Sequence, residues 1–175
     1  MNEDLKQFIR DVPDFPKKGI IFKDITTLLK DPSALRFTLS RLYEEVKDLK
    51  INKVACIESR GFIFGGMLAE KLNAGFIPIR KPGKLPAEVI KQSYELEYGM
   101  DTIEIHKDAI SKGDRVLLHD DLLATGGTAA AACSLIEQLG GEVVLVSFII
   151  ELSFLCGREK LDKYKVHSLL NYSGE

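Results

Sequence analysis

The sequence predicts an α/β protein with a central, mostly parallel sheet flanked by helices, and three observations carry that prediction. Continuous apolar runs at 53–57, 75–79, 116–118 and 143–150 have the length of strands buried on both faces. Helical stretches at 62–72 and 129–139 alternate with them, the order a parallel sheet requires. Polar clusters follow three of these strands, and ligands of such sheets bind beyond the carboxyl ends of the strands.

From the amino end, residues 2–12 place Leu5, Phe8, Ile9 and Val12 at helical spacing, so a short amphipathic helix is expected. Two prolines and a glycine within 13–19 exclude regular structure there, and that loop runs into 20–26. Asp31 followed by Pro32 is a helix start. Leu35, Leu39, Leu42, Tyr43, Val46 and Leu49 continue it as one apolar stripe to about Asp48. The strand at 53–57 ends in Glu58, Ser59, Arg60 and Gly61, and the strand at 75–79 ends in Arg80 and Lys81. Residues 81–92 read as a loop carrying Pro82, Gly83 and Pro86 beside Lys84 and Lys91. Tyr94, Leu96 and Tyr98 then alternate with Glu95 and Glu97, and Ile103 and Ile105 alternate with Glu104 and His106. That pattern suits antiparallel strands exposed on one face. A last strand is expected within 164–170.

The most informative stretch is 116–128. The apolar run Val116, Leu117, Leu118 stops at two adjacent carboxylates, Asp120 and Asp121. Ala124, Thr125, Gly126, Gly127 and Thr128 follow, small or hydroxylated residues that let backbone N–H groups converge at the start of a helix, where the dipole favours an anion. The carboxylates suit the vicinal hydroxyls of a sugar and the cradle suits its phosphate, which together describe a ribose 5-phosphate site. The stretch lacks the Lys of a Walker loop, and no Gly-x-Gly-x-x-Gly follows a strand, which argues against a dinucleotide dehydrogenase or methyltransferase.

Composition narrows the partners. The 24 Lys and Arg against 26 Asp and Glu leave a net charge of −2, which offers no general attraction to nucleic acid or to an anionic membrane. Cys56, Cys133 and Cys156 are odd in number and widely spaced, the pattern of reduced core thiols in a cytoplasmic protein. No signal sequence opens the chain and no apolar run reaches membrane-spanning length. His106 and His167 have no ligand partners at metal-binding spacing, and His119 reads as a satisfied polar residue at a strand end. At 175 residues, one domain is the expectation.

The stretch 116–128 resembles the phosphoribosyl pyrophosphate signature of the type I phosphoribosyltransferases. Val12 to Pro16, Gly19, and Phe22-Lys23-Asp24-Ile25-Thr26 resemble the purine-binding segment of its adenine branch. Glu58 to Phe62, Arg80 to Pro86, and Tyr94 to Gly99 are similar to its pyrophosphate loop, mobile loop and the strand behind it, so the resemblance covers nearly the whole chain.

It implies the type I fold with a small N-terminal hood (1–30) and a mobile β-loop, and transfer of 5-phosphoribosyl from phosphoribosyl pyrophosphate to adenine, giving AMP and pyrophosphate. Arg60, Arg80, Lys81 and Lys84 would face pyrophosphate, with Arg60 and Lys84 catalytic. Glu97 would handle the purine proton, Phe22 would stack on the base, and Ile21, Lys23, Ser59 and Tyr98 would line the substrates. Mg2+ is expected through substrate oxygens rather than protein ligands, the peptide between Glu58 and Ser59 is expected to be cis or strained, and the resemblance implies a homodimer. Lys23 departs from the Arg common in the family and lacks its planar fork. Transfer to hypoxanthine, xanthine or orotate is the enzymatic alternative, since the signature serves all of them, and a non-catalytic sensor of phosphoribosyl pyrophosphate is the other. The sensor reading lacks the basic recognition helix such a regulator would need.

Overall fold

A computed structural model describes residues 5–95 and 99–174. Five strands, β3 (Lys53–Ile57), β4 (Gly75–Ile79), β7 (Arg115–Leu123), β8 (Glu142–Leu152) and β9 (Val166–Tyr172), form one sheet in the order β4-β3-β7-β8-β9. All of its pairings are parallel. Two antiparallel ribbons stand outside it: β1 (Arg10–Pro13) with β2 (Ile21–Asp24), and β5 (Val89–Glu95) with β6 (Met100–His106). The expected parallel sheet is therefore present, and so is the expected antiparallel pair.

Alternation along the strands divides the core in two. Ala55, Ile57, Val116, Leu118, Val146 and Phe148 pack with α4 (Gly127–Gln138) through Ala132, Leu135 and Ile136. Val54, Cys56, Leu117, Leu145 and Ile149 pack on the other face with α2 (Pro32–Val46) and α3 (Gly61–Lys71), alongside α1 (Thr26–Lys30). The Asp31 cap of α2 forms as expected: its Oδ1 accepts from Ser33 N at 2.9 Å and Ala34 N at 2.8 Å, with Pro32 in the first turn. Helix α3 lies so close to β3 that a Cβ on Gly65 would sit 2.0 Å from Cys56 Sγ.

Three expectations about these elements need correction. The amphipathic helix expected over 2–12 is not seen in its described part, 5–12: a 3-10 turn (Leu5–Phe8) leads into β1. Pairing with β2, reinforced by Arg10 Nε donating to Asp24 Oδ2 at 3.0 Å, outweighs the helical spacing of four apolar residues. The loop expected at 81–92 is shorter, because β5 begins at Val89 and pairs across to His106. The strand expected to stop before the acid pair continues through it, with Asp120 opposite Phe148 and Leu123 opposite Glu151.

His119 is not the expected satisfied polar residue at a strand end. It lies fully buried in the middle of β7, between Cys56 of β3 and Ser147 of β8 in register and next to Asp120, and neither ring nitrogen has a hydrogen-bond partner among the described residues. Burial depresses its pKa to about 4, against a weaker opposing contact with the Ser147 backbone. The unfolded chain takes up this proton near pH 6.5 and the folded chain only near 4. The stability it contributes is therefore complete above pH 6.5 and lost as pH falls towards 4. Urea unfolding at pH 7 and pH 5 should show the wild type losing about 2 kcal/mol more than His119→Leu over that interval. Equal losses in the two proteins would remove the assignment.

Candidate active site

The carboxyl ends of β3 and β7 open onto a cavity of about 350 Å3. Glu58, Ser59 and Arg60 enter from the turn after β3, Asp120 and Asp121 from β7, Lys81 from the segment after β4, and Thr128 from the first turn of α4. The three polar clusters of the sequence thus meet in one place. The peptide between Glu58 and Ser59 is cis, as expected.

The cations of the site already have partners. Arg60 Nε is ion-paired with Asp121, and Lys81 Nζ with Asp101. Glu58 gathers the others: Arg80 Nε donates to its Oε2 at 2.6 Å, and Lys84 Nζ to its Oε1 at 2.7 Å. Burial raises the Glu58 carboxyl, but Lys84, Arg80 and the Lys81 N–H together hold it below the ordinary carboxylate range. Burial and then the Asp121 charge push the Asp120 carboxyl well above its ordinary value. An entering polyanion would exchange partners with these carboxylates instead of filling a bare positive pocket.

Behind the acid pair, Ala124, Thr125, Gly126, Gly127 and Thr128 wrap a smaller hollow of about 80 Å3 at the N-terminus of α4. Gly126 has φ +77°, a left-handed turn that brings the chain round to face the helix axis. Convergent N–H groups at a helix start suit a phosphate. A third hollow, of about 340 Å3, lies on the other side of Arg60, lined by Val12, Phe15, Phe22, Asp24 and Thr26. Phe22 and Phe15 meet edge to face at 5.2 Å, and the Arg60 guanidinium lies 5.0 Å from the Phe22 ring centre. A flat aromatic ligand could replace that guanidinium on Phe22.

Ile21 and Lys23 flank Phe22 on β2, but the Lys23 side chain is not brought to this hollow. It is buried, with Nζ 2.8 Å from Asp11 Oδ1 and 4.5 Å from the centre of the Tyr172 ring. Strand alternation is the reason: Lys23 points opposite to Phe22 and clips the ribbon to the carboxyl-terminal strand. A base contact from this position is open only to its backbone. Glu97 and Tyr98 lie outside the described residues.

Sequence reasoning missed Asp101 and the part played by Tyr94. They face each other in register across β5 and β6, and the Tyr94 hydroxyl donates to Asp101 Oδ2 at 3.0 Å while also interacting with the Thr128 side chain. The signal was there in the ribbon: once Val89 is opposite His106, counting inward pairs Tyr94 with Asp101.

A family model for the phosphoribosyl transferase domain matches residues 24–172. The adenine phosphoribosyltransferase of Christiangramia forsetii is 59% identical over 170 residues, covering 97% of this chain and 99% of that protein. That of Halothermothrix orenii is 62% identical over 167 residues, covering 95% and 98%. Among solved structures, the adenine phosphoribosyltransferase of Thermoanaerobacter pseudethanolicus superposes with a TM-score of 0.95 at 53% identity, covering 97% of this chain and 99% of that one. The Saccharomyces cerevisiae enzyme, crystallised with an imino-altritol bisphosphate and adenine, superposes at 0.89 with 44% identity, covering 95% and 96%.

Proposed function

We infer the chemistry of this site from one premise: the chain belongs to the phosphoribosyltransferase family, and within it to the adenine phosphoribosyltransferases. It is a purine salvage enzyme, a pentosyltransferase that moves 5-phosphoribosyl from phosphoribosyl pyrophosphate to adenine, giving AMP and pyrophosphate. The readings as an enzyme for another base or as a non-catalytic sensor are not favoured. The observation that carries the residue assignments is the convergence of an acid pair, two cations lining the cavity with two more held at its edge by Glu58, and a phosphate-sized cradle beside an aromatic platform.

Each group has a task in the transfer. The loop of Ala124, Thr125, Gly126, Gly127 and Thr128 holds the 5-phosphate, and Asp120 and Asp121 accept from the ribose hydroxyls, fixing the ring for attack. Arg60, Arg80, Lys81 and Lys84 stabilise the charge of departing pyrophosphate, with Ser59 beside them in the cavity wall. Phe22 stacks on adenine, and the backbone at Ile21 and Lys23 lies along its edge. Glu97 and Tyr98 are assigned on the resemblance alone, Glu97 to the purine proton and Tyr98 to substrate contact. The carboxylates of Asp120 and Asp121 in the cavity wall are hard oxygen donors, which suits Mg2+ carried on substrate oxygens beside them. Bound there, Mg2+ would neutralise pyrophosphate charge.

The deciding experiment is AMP formation from phosphoribosyl pyrophosphate with adenine, hypoxanthine, guanine and xanthine assayed in parallel. Turnover with adenine should dominate. Equal or greater turnover with an oxopurine would overturn the adenine assignment.

We read residues 1–175 as one phosphoribosyltransferase domain in which 1–30 form the hood over the base, and we propose a homodimer. Ile63 and Phe76 are 37% and 38% exposed on α3 and the edge strand β4, and Phe76 meets Phe62 at 5.5 Å, an apolar patch suited to a second copy. Ile63→Lys should shift the protein from dimer to monomer in sedimentation; a wild type that sediments as a monomer would exclude the interface. We also place the protein in the cytoplasm, a reading supported by the free thiols of Cys56, Cys133 and Cys156, of which the first two lie in the core as expected and Cys156 is instead exposed. No described helix is long and apolar enough to cross a membrane.

A further inference from the structure

The phosphate cradle has a second wall that comes from the far end of the chain. A Cβ on Gly126 would lie 2.3 Å from the carbonyl oxygen of Gly157, and a Cβ on Gly157 would lie 2.1 Å from the carbonyl oxygen of Ala124. The two backbones touch with no space for a side chain between them, and the loop of Ala124 to Thr128 rests on Gly157 as on a stop. Gly157 opens the 3-10 turn Gly157–Leu161, which is pinned at its other end by Leu161 in the core.

What holds Gly157 there is an ion pair between the half-exposed Arg158 and the buried Glu151. Arg158 Nε donates to Glu151 Oε1 at 2.6 Å and its Nη2 to Oε2 at 2.7 Å, a two-pronged contact with a carboxylate that is almost fully buried. Ser168 Oγ donates to the same Oε2 at 2.5 Å, and Arg158 Nη1 donates to the Val166 carbonyl at 3.0 Å. Glu151 lies beside Leu123 in the β8 to β7 register, one residue before the cradle begins. The fork of Arg158 thus fixes the turn relative to the strand from which the cradle departs. A surface ion pair contributes little, but a bidentate pair with one buried member sets geometry.

We propose that Gly157, Arg158 and Glu151 are positioning residues for the 5-phosphate: they touch no substrate, and they set the curvature of the loop that does. This rests on the assignment of the cradle to the 5-phosphate under the proposed function. Lys at position 158 would keep the charge and lose the fork, letting the turn slide along the carboxylate. Ala at 157 would push Ala124 and Gly126 outward. A displacement of the order of an ångström in a binding loop is enough for large losses.

The test measures binding of AMP and of pyrophosphate by calorimetry to wild type, Arg158→Lys and Gly157→Ala, each first checked for a native near-ultraviolet spectrum. AMP needs the cradle and pyrophosphate does not. AMP affinity should fall about tenfold in both variants while pyrophosphate affinity stays within about twofold, and KM for phosphoribosyl pyrophosphate should rise more than KM for adenine. If Gly157→Ala does not fold, Arg158→Lys carries the test. Unchanged AMP affinity, or equal loss for both ligands, would overturn the proposal. A wild type that binds neither ligand would instead overturn the reading of the site itself.

Discussion

Asp121→Asn should lower turnover about a hundredfold while moving the melting temperature by only a few degrees. Asp121 is nearly buried and its partner Arg60 is 40% exposed, so loss of the pair leaves a guanidinium that can turn to water. The folded state therefore loses little. The reaction loses much, because positive charge builds on the ribose ring as pyrophosphate departs and a carboxylate at its hydroxyls is worth more then than in the ground state. Asp120→Asn should cost less at neutral pH, since burial and the Asp121 charge already push the Asp120 carboxyl towards its neutral form. Turnover of AMP formation and a thermal melt on the same preparations decide it. Equal turnover losses at the two positions would remove the difference between the acids, and a large stability loss in Asp121→Asn with unchanged turnover would show that this acid is held for packing.

The sheet was legible because burial on both faces writes strands as unbroken apolar runs, and four such runs lie where strands β3, β4, β7 and β8 stand. The acid pair was legible as an interruption of one run. Its placement within β7, instead of after it, was not, because a ladder continues through polar residues when both neighbours keep pairing. Residues 5–12 misled for the opposite reason: Leu5 and Ile9 do reach the core, but the backbone of β1 is claimed by β2, a contact across the proline loop that periodicity does not record. Lys23 shows the same limit in the site. Its side chain lies on Asp11 and Tyr172, one at each end of the chain, and no local pattern announces that destination. Gly157 was invisible because its importance is the absence of a side chain opposite Gly126, thirty-one positions away in sequence.

Lys84→Ala should also lower turnover about a hundredfold, with a second signature in the loop that carries it. In the free protein Lys84 Nζ is bonded to Glu58, and its carbonyl accepts from Arg80 Nη1 at 3.1 Å. The root of the loop is tethered as well, by Lys81 N to Glu58 Oε1 at 3.2 Å and Gly83 N to Glu104 Oε2 at 3.0 Å. Between these ties and β5, the segment around Leu85, Pro86 and Ala87 carries little apolar anchorage beyond a 3.4 Å bond from Ala87 N to His106 Nε2, so the Lys84 ion pair contributes to how often it opens. Pyrophosphate would take Lys84 from Glu58 and draw the loop over the ribose, keeping water from the electrophilic carbon. Limited proteolysis should therefore cut the wild type in this loop more slowly with phosphoribosyl pyrophosphate than without it. Lys84→Ala should be cut faster than wild type when free, since the Glu58 tie is gone, and should gain little protection from the substrate. Full activity of Lys84→Ala together with cleavage that ignores the ligand would leave this loop a surface connection between β4 and β5, and the electrostatic work on pyrophosphate would fall to Arg60, Arg80 and Lys81.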